Sequence, residues 1–274
     1  MKVQLNKIHH FHTTNDCSIA YRLTGNPNGV PILFFNGILM NLDGWKPQSE
    51  FLKEYLCITL DFRGQLRSGK EFPDHFTMGI HVQDTKELMA HLGIPQFNIV
   101  GTSYGGEVAL LYVLTYPEQV KSITVIASVS YSDMLLKHQV SLWKNLASVS
   151  TNLLYDCVMG LCYSDQFISQ NEALLTRRKE AFQQLPESFF KGFEKLCDAF
   201  IHFQLSNDQL QQIVCPVLIV SAQLDILKLP HYSETMVENL PNARYEIIEG
   251  AGHAVTVEHP NKISELIERF LSNL

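Results

Sequence analysis

The chain has 274 residues, 46% hydrophobic and 18% charged, with a formal net charge of −7. That length and apolar share suit one large folded core with an inserted segment and exclude a disordered chain. No run of Lys or Arg offsets the acidic balance, so phosphate-backbone binding is excluded and nucleic acid is not an expected partner.

From Met1 to Thr13 charged, polar and apolar residues alternate, without the continuous apolar stretch of a secretory leader, so a cytoplasmic location is expected. His9, His10 and His12 fall in this stretch, where a strand would point successive side chains to opposite faces; no metal site is expected from them. Segments 9–13 and 18–23 flank a turn-prone Thr-Asn-Asp and read as a hairpin. An apolar strand follows over 31–35, and another over 55–60 that ends at Asp61. No apolar run approaches the roughly 20 residues needed to cross a bilayer, so no membrane span is expected.

A helix over 78–91 places Ile80, Val82, Leu88, Met89 and Leu92 on one face and stops at Gly93. A strand over 97–100, a helix over 108–116 ended by Pro117, and a strand over 122–127 continue an α/β alternation. The alternation then breaks: from 131 to 208 the periodicity is helical throughout, with Leu142, Trp143, Phe182, Phe189, Phe193 and Phe200 among the apolar positions. Strands resume over 217–221 and 245–248, and an amphipathic helix over 263–271 closes the chain. The six cysteines are scattered with no Cys-x-x-Cys pair, so free thiols are expected.

Chemistry concentrates at Gly101-Thr102-Ser103-Tyr104-Gly105-Gly106, a Gly-x-Ser-x-Gly sequence between an apolar strand and a helix. A serine at such a turn is exposed but weakly nucleophilic, and needs a base and an acid to orient that base. Asp225, just past the strand over 217–221, and His253, just past the strand over 245–248, supply them in the chain order Ser, Asp, His. Asp133 and Asp61 also follow strands, and His259 follows His253 by six residues; Asp225 and His253 are the preferred pair. The developing oxyanion needs preorganised N–H donors, for which the amides of Tyr104 and Ile38 are expected, with Gly37 allowing close approach.

Strand-Asn36-Gly37 with Trp45, Asp61-Phe62-Arg63-Gly64, the turn at Ser103, Asp225 and Gly252-His253 lie in a register that resembles the α/β-hydrolase family over nearly the whole chain. The resemblance implies an α/β fold with an eight-stranded, mostly parallel sheet over 1–130 and 209–274, a helical cap over 131–208, no cofactor, and a small acyl substrate held between them. Asn36, Gly37 and Trp45 are the residues expected to touch it. Two positions depart from the family: Asn36 stands where many relatives have His, and Leu66 replaces the second glycine of Arg-Gly-x-Gly-x-Ser. Asn-Gly in this loop is similar to bacterial hydroxyacyl transacylases and hydroxyalkanoyloxyalkanoate synthases. Hydrolysis of an ester, thioester or lactone is the first expectation, acyl transfer to another acceptor the second, and a non-catalytic ligand receptor the third.

Overall fold

The computed structural model describes residues 4–274; Met1–Val3, part of the stretch compared with a secretory leader, lie outside the described residues. In chain order the elements are β1 (Ile8–His12), β2 (Ser18–Gly25), β3 (Pro31–Phe35), α1 (Lys46–Phe51), β4 (Leu56–Leu60), α2 (Met78–Leu92), β5 (Phe97–Thr102), α3 (Tyr104–Thr115) and β6 (Val120–Ile126). Six helices follow: α4 (Met134–Val149), α5 (Thr151–Cys162), α6 (Asp165–Gln170), α7 (Glu172–Gln183), α8 (Glu187–Ile201) and α9 (Asn207–Gln211). The chain returns to β7 (Val217–Ala222), α10 (Pro230–Asn239), β8 (Ala243–Ile248), α11 (Val255–Glu258) and α12 (Pro260–Leu271).

The strands form one eight-stranded sheet in the order β1-β2-β4-β3-β5-β6-β7-β8. β2 runs antiparallel to β1 and β4, and the other pairs are parallel. Both faces are covered, which is why the central strands read as unbroken apolar runs instead of alternating. On β3, Leu33 and Phe35 pack with Val82 of α2 and Leu110 of α3, while Ile32 and Phe34 pack on the opposite face with Trp45 and Ile263 of α12. Each such side chain contributes roughly 1.5–3 kcal/mol of burial.

α2 buries more than its apolar stripe: His81, Asp84 and Thr85 are inside with Val82, Leu88 and Met89, whereas Ile80 is only half-buried. Arg63 explains Asp84, donating from Nε at 2.9 Å and Nη2 at 2.7 Å. Helices α1, α10 and the four-residue α11 have no counterpart in the sequence reading. α1 has six residues and buries only Gln48 and Ser49; α10 buries Tyr232, Ser233 and Met236, so neither carries the apolar stripe that marks a helix. α3 starts at Tyr104, four residues before the expected position, because Gly105-Gly106 continue the helix instead of forming a turn.

Helices α4 to α9 fill the gap between β6 and β7. At their base, backbone bonds from Ser132 to Phe203 (3.0 Å) and from Leu205 to Ser130 (2.8 Å) bring entry and exit together. α8 lays Phe189, Phe193, Leu196 and Phe200 inward, and α4 contributes Val140 and Trp143 to the same cluster. The helical segment ends at Gln211, three residues past the expected boundary. No described helix is long and apolar enough to cross a membrane.

Candidate active site

β5 ends at Thr102 and α3 begins at Tyr104, leaving Ser103 in the turn with φ 52° and ψ −121°. Such a conformation costs a residue bearing a Cβ on the order of 1–3 kcal/mol. Four hydrogen bonds hold it: Ser103 N–H donates to Ile126 O (2.8 Å), and its carbonyl accepts from Gly106 N–H (2.8 Å), Glu107 N–H (3.4 Å) and Ser128 Oγ (2.9 Å). Gly101 and Gly105 make the turn possible sterically, since a Cβ on the first would strike the Gly105 carbonyl and on the second the Phe35 carbonyl.

Asp225 follows β7, and its Oδ1 accepts from the N–H groups of Leu227 (2.9 Å) and Lys228 (2.7 Å). Its Oδ2 lies 2.7 Å from His253 Nδ1, and His253 Nε2 lies 3.0 Å from Ser103 Oγ. With Nδ1 donating to the carboxylate, Nε2 is left to accept from the serine hydroxyl. Asp225 is 2% exposed and His253 8%, so bulk water does not compete for the Asp–His bond.

The rival residues are engaged elsewhere. Asp133 caps α4 by accepting from Leu136 N–H (2.9 Å) and accepts from Tyr232 OH (2.7 Å). Asp61 accepts from the N–H groups of Leu42 (2.6 Å) and Arg67 (3.0 Å); burial nonetheless pushes its carboxyl above the usual range. His259 is the residue preceding α12. His9, His10 and His12 lie on β1 at the end of the sheet, with His9 Nε2 on Gln4 O at 2.8 Å.

After β3 the chain turns through Gly37 and Ile38. Asn36 is wholly buried: Nδ2 donates to Leu60 O (2.8 Å) and Gln65 Oε1 (2.9 Å), and Oδ1 accepts from Trp45 Nε1 (2.9 Å). The expectation that Asn36 and Trp45 touch substrate is therefore corrected. Both lie behind the loop, where the asparagine satisfies an indole N–H that the apolar interior would leave unpaired, and of the three expected contacts only Gly37 lines the cavity described below. Gln65, which the sequence reading did not single out, donates from Nε2 to Gly37 O (2.8 Å) and accepts from Phe62 N–H (2.9 Å). Because the carbonyl and N–H of a trans peptide point in opposite directions, holding Gly37 O turns the Ile38 N–H away from Gln65. Among the described residues, neither the Ile38 nor the Tyr104 amide has an acceptor.

Ser103 and His253 open onto a cavity of about 530 Å³. Ile38, Met40 and Leu66 wall it from the sheet side and Trp143, Val158 and Phe182 from the helical segment. Leu66, at the departed glycine position, thus adds apolar wall, while Gly64 keeps the left-handed backbone of that loop at φ 90°. A surface hollow of about 580 Å³ beside Glu187 and Lys191 contains none of these residues.

Beneath the turn, Glu107 of α3 and Lys228 form a buried ion pair. Ser128 Oγ bridges Glu107 Oε1 (2.8 Å) and the Ser103 carbonyl, so the Asp225 loop and the Ser103 helix are tied through one charged contact. Burial pushes the Glu107 carboxyl up, against the pull of Lys228 and its hydrogen bonds. Next to it Tyr104 OH lies 3.0 Å from His81 Nε2, and burial, aided by Arg63, lowers the His81 imidazole to about 3.

The family described as the α/β hydrolase fold matches residues 30–260. Among curated proteins, the RutD protein of Caulobacter sp. (strain K31), provisionally named a carbamate hydrolase, is 28% identical over 233 residues, covering 83% of this chain and 85% of that one. Monoacylglycerol lipase abhd6-B of Xenopus laevis is 26% identical over 271 residues, covering 93% and 79%. Among solved structures, MGS-M2, an α/β-hydrolase enzyme from a Medee basin deep-sea metagenome library, superposes with a TM-score of 0.91 at 28% identity, covering 96% and 97%.

Proposed function

The chain belongs to the α/β-hydrolase fold family, and from that premise we propose that this enzyme is a serine hydrolase cleaving an ester, thioester or lactone of a small, mainly apolar substrate through an acyl-enzyme. The observation that carries the reading is the unbroken contact from Asp225 Oδ2 to His253 Nδ1 (2.7 Å) and from His253 Nε2 to Ser103 Oγ (3.0 Å). Ser103 Oγ attacks the carbonyl carbon as His253 Nε2 takes its proton. The oxyanion accepts from the Ile38 and Tyr104 N–H groups, which have no competing acceptor among the described residues, and each such donor is worth on the order of 10²-fold in rate. His253 then protonates the leaving oxygen or sulfur as the acyl bond breaks. In the second half the imidazole activates water, the Ser103 ester is cleaved, and the proton returns to Oγ.

In this reading helices α4 to α9 form the cap, and their apolar residues supply the half of the cavity that holds the chain of the substrate. The transferase alternative rests on the Asn36 loop and the apolar cap; the Asn36 side chain is consumed by Leu60, Gln65 and Trp45, which favours hydrolysis as the simpler account. Ser103→Ala is expected to lower kcat on p-nitrophenyl esters by at least about 10³-fold. Fluorophosphonate labelling followed by peptide mass spectrometry should place the adduct on Ser103; full activity in the variant, or labelling elsewhere, overturns the proposal.

A further inference from the structure

Around the 530 Å³ cavity the lining is apolar except at a few points, and among the described residues no Asp, Glu or Lys belongs to it. Besides His253, the one ionisable nitrogen group in the wall among the described residues is Arg178 of α7. Its Nη1 donates to Tyr163 OH at 2.6 Å, and Tyr163, also in the wall, is stacked on Phe167 with ring centroids 5.1 Å apart. Among the described residues Arg178 forms no ion pair, whereas the next residue, Lys179, is paired with Asp156 at 2.6 Å. Arg178 is half-buried.

A guanidinium kept for solubility carries its head in water or against a surface carboxylate. One facing an apolar enclosure with a neutral phenol as its partner retains a planar set of unused N–H donors and an uncompensated charge, an arrangement that costs free energy until an anion arrives. The fork matches a carboxylate in two parallel hydrogen bonds. Apolar wall fills the rest of the space, so such a group would be joined to the scissile bond through hydrocarbon.

We propose that the substrate bears a carboxylate, separated by an apolar spacer from the acyl bond that Ser103 attacks, and that Arg178 binds it. This rests on the hydrolase reading and narrows its substrate class to half-esters, thioesters or lactones carrying a free carboxylate. A single hydrogen bond to a charged group is worth roughly ten- to a hundredfold in affinity.

Two measurements test it. In the first, p-nitrophenyl half-esters of glutaric, adipic and suberic acids are compared with p-nitrophenyl esters of matched neutral fatty acids, and carboxyphenyl butyrate with phenyl butyrate. These arms place the carboxylate on the acyl or the leaving side. Wild-type enzyme is expected to favour the charged member of one arm by at least about tenfold in kcat/KM. Arg178→Met should collapse that ratio towards one, and Arg178→Lys should recover part of it. In the second, calorimetry measures adipate and suberate binding to wild-type protein and to Arg178→Met, without turnover. Loss of binding in the variant supports the anion site. If no ester of either kind is turned over while Arg178-dependent binding persists, the site stands and the hydrolase reading falls. Equal ratios in wild type and Arg178→Met, with dicarboxylate binding absent or unchanged, overturn the proposal and leave Arg178 as a tie between α7 and Tyr163.

Discussion

Gln65 carries an expectation that separates positioning from packing. Its amide spans Asn36, Phe62 and Gly37 with both ends bonded, and it is 1% exposed. Gln65→Glu keeps the shape but replaces the donor to Gly37 O with an acceptor, freeing the Gly37-Ile38 peptide to rotate. We expect kcat to fall by roughly 10- to 100-fold, with KM nearly unchanged, because an oxyanion donor acts in the transition state. Boronic-acid affinity should fall in parallel; a variant that loses KM and leaves boronate binding intact would contradict this role. Ser103 and His253 are readable from sequence because each announces itself locally, by a glycine-flanked turn and by its place after a strand. Gln65 does not, since its meaning depends on Asn36, 29 residues away. Arg178 is hidden for the same reason, as nothing in α7 itself says which of its faces meets the cavity.

At the scale of elements, α2 meets α3 through a buried polar contact, His81 with Tyr104. The native His81 pKa, about 3, lies below its ordinary 6.5, so between those values the unfolded chain binds a proton that the native state does not. Stability therefore rises with pH across that window, by at most about 1.4 kcal/mol per unit, and the full contribution is present above 6.5. Urea midpoints measured from pH 7 down to pH 4 should fall less steeply in His81→Gln than in the wild type. Parallel slopes would mean the imidazole is free to protonate in the native protein. Short apolar runs and the 3.6-residue period locate the sheet strands and helices α2, α3 and α12, and mark 131–208 as helical, because burial on two faces or one stripe leaves a compositional trace. They are silent on α1, α10 and α11, whose inward faces are short, and they miss the polar side chains of α2, which are buried by long-range partners such as Arg63.

For the molecule as a whole, two close contacts between the helical segment and the sheet body stand out. Gly192 of α8 lies directly against the backbone of Gly64, and a Cβ there would collide with the Gly64 carbonyl. Gly192→Ala ought to gain about 1 kcal/mol from helix propensity, yet overpacking against backbone costs roughly 1–3 kcal/mol. We expect a net loss of stability and a lower melting temperature, read by calorimetry; a rise would show that the two backbones separate freely. That a helical segment interrupts the sheet after β6 is evident from the break in alternation near residue 131, but how it sits is not, since both contacts join glycines and loop residues far apart in sequence.

The second contact lies beside His253. Glu258 accepts from the N–H groups of Gly252 (3.2 Å) and Ser164 (3.0 Å) and from Ser164 Oγ (2.6 Å), and Ala254 N–H donates to Cys162 O (2.7 Å). Anyone grafting a foreign segment in place of residues 134–211 to change selectivity inherits these two sutures. The transplant would need a bare helix flank for Gly64 and a hydroxyl with an adjacent amide for Glu258, or the imidazole loop would be left moored on one side only.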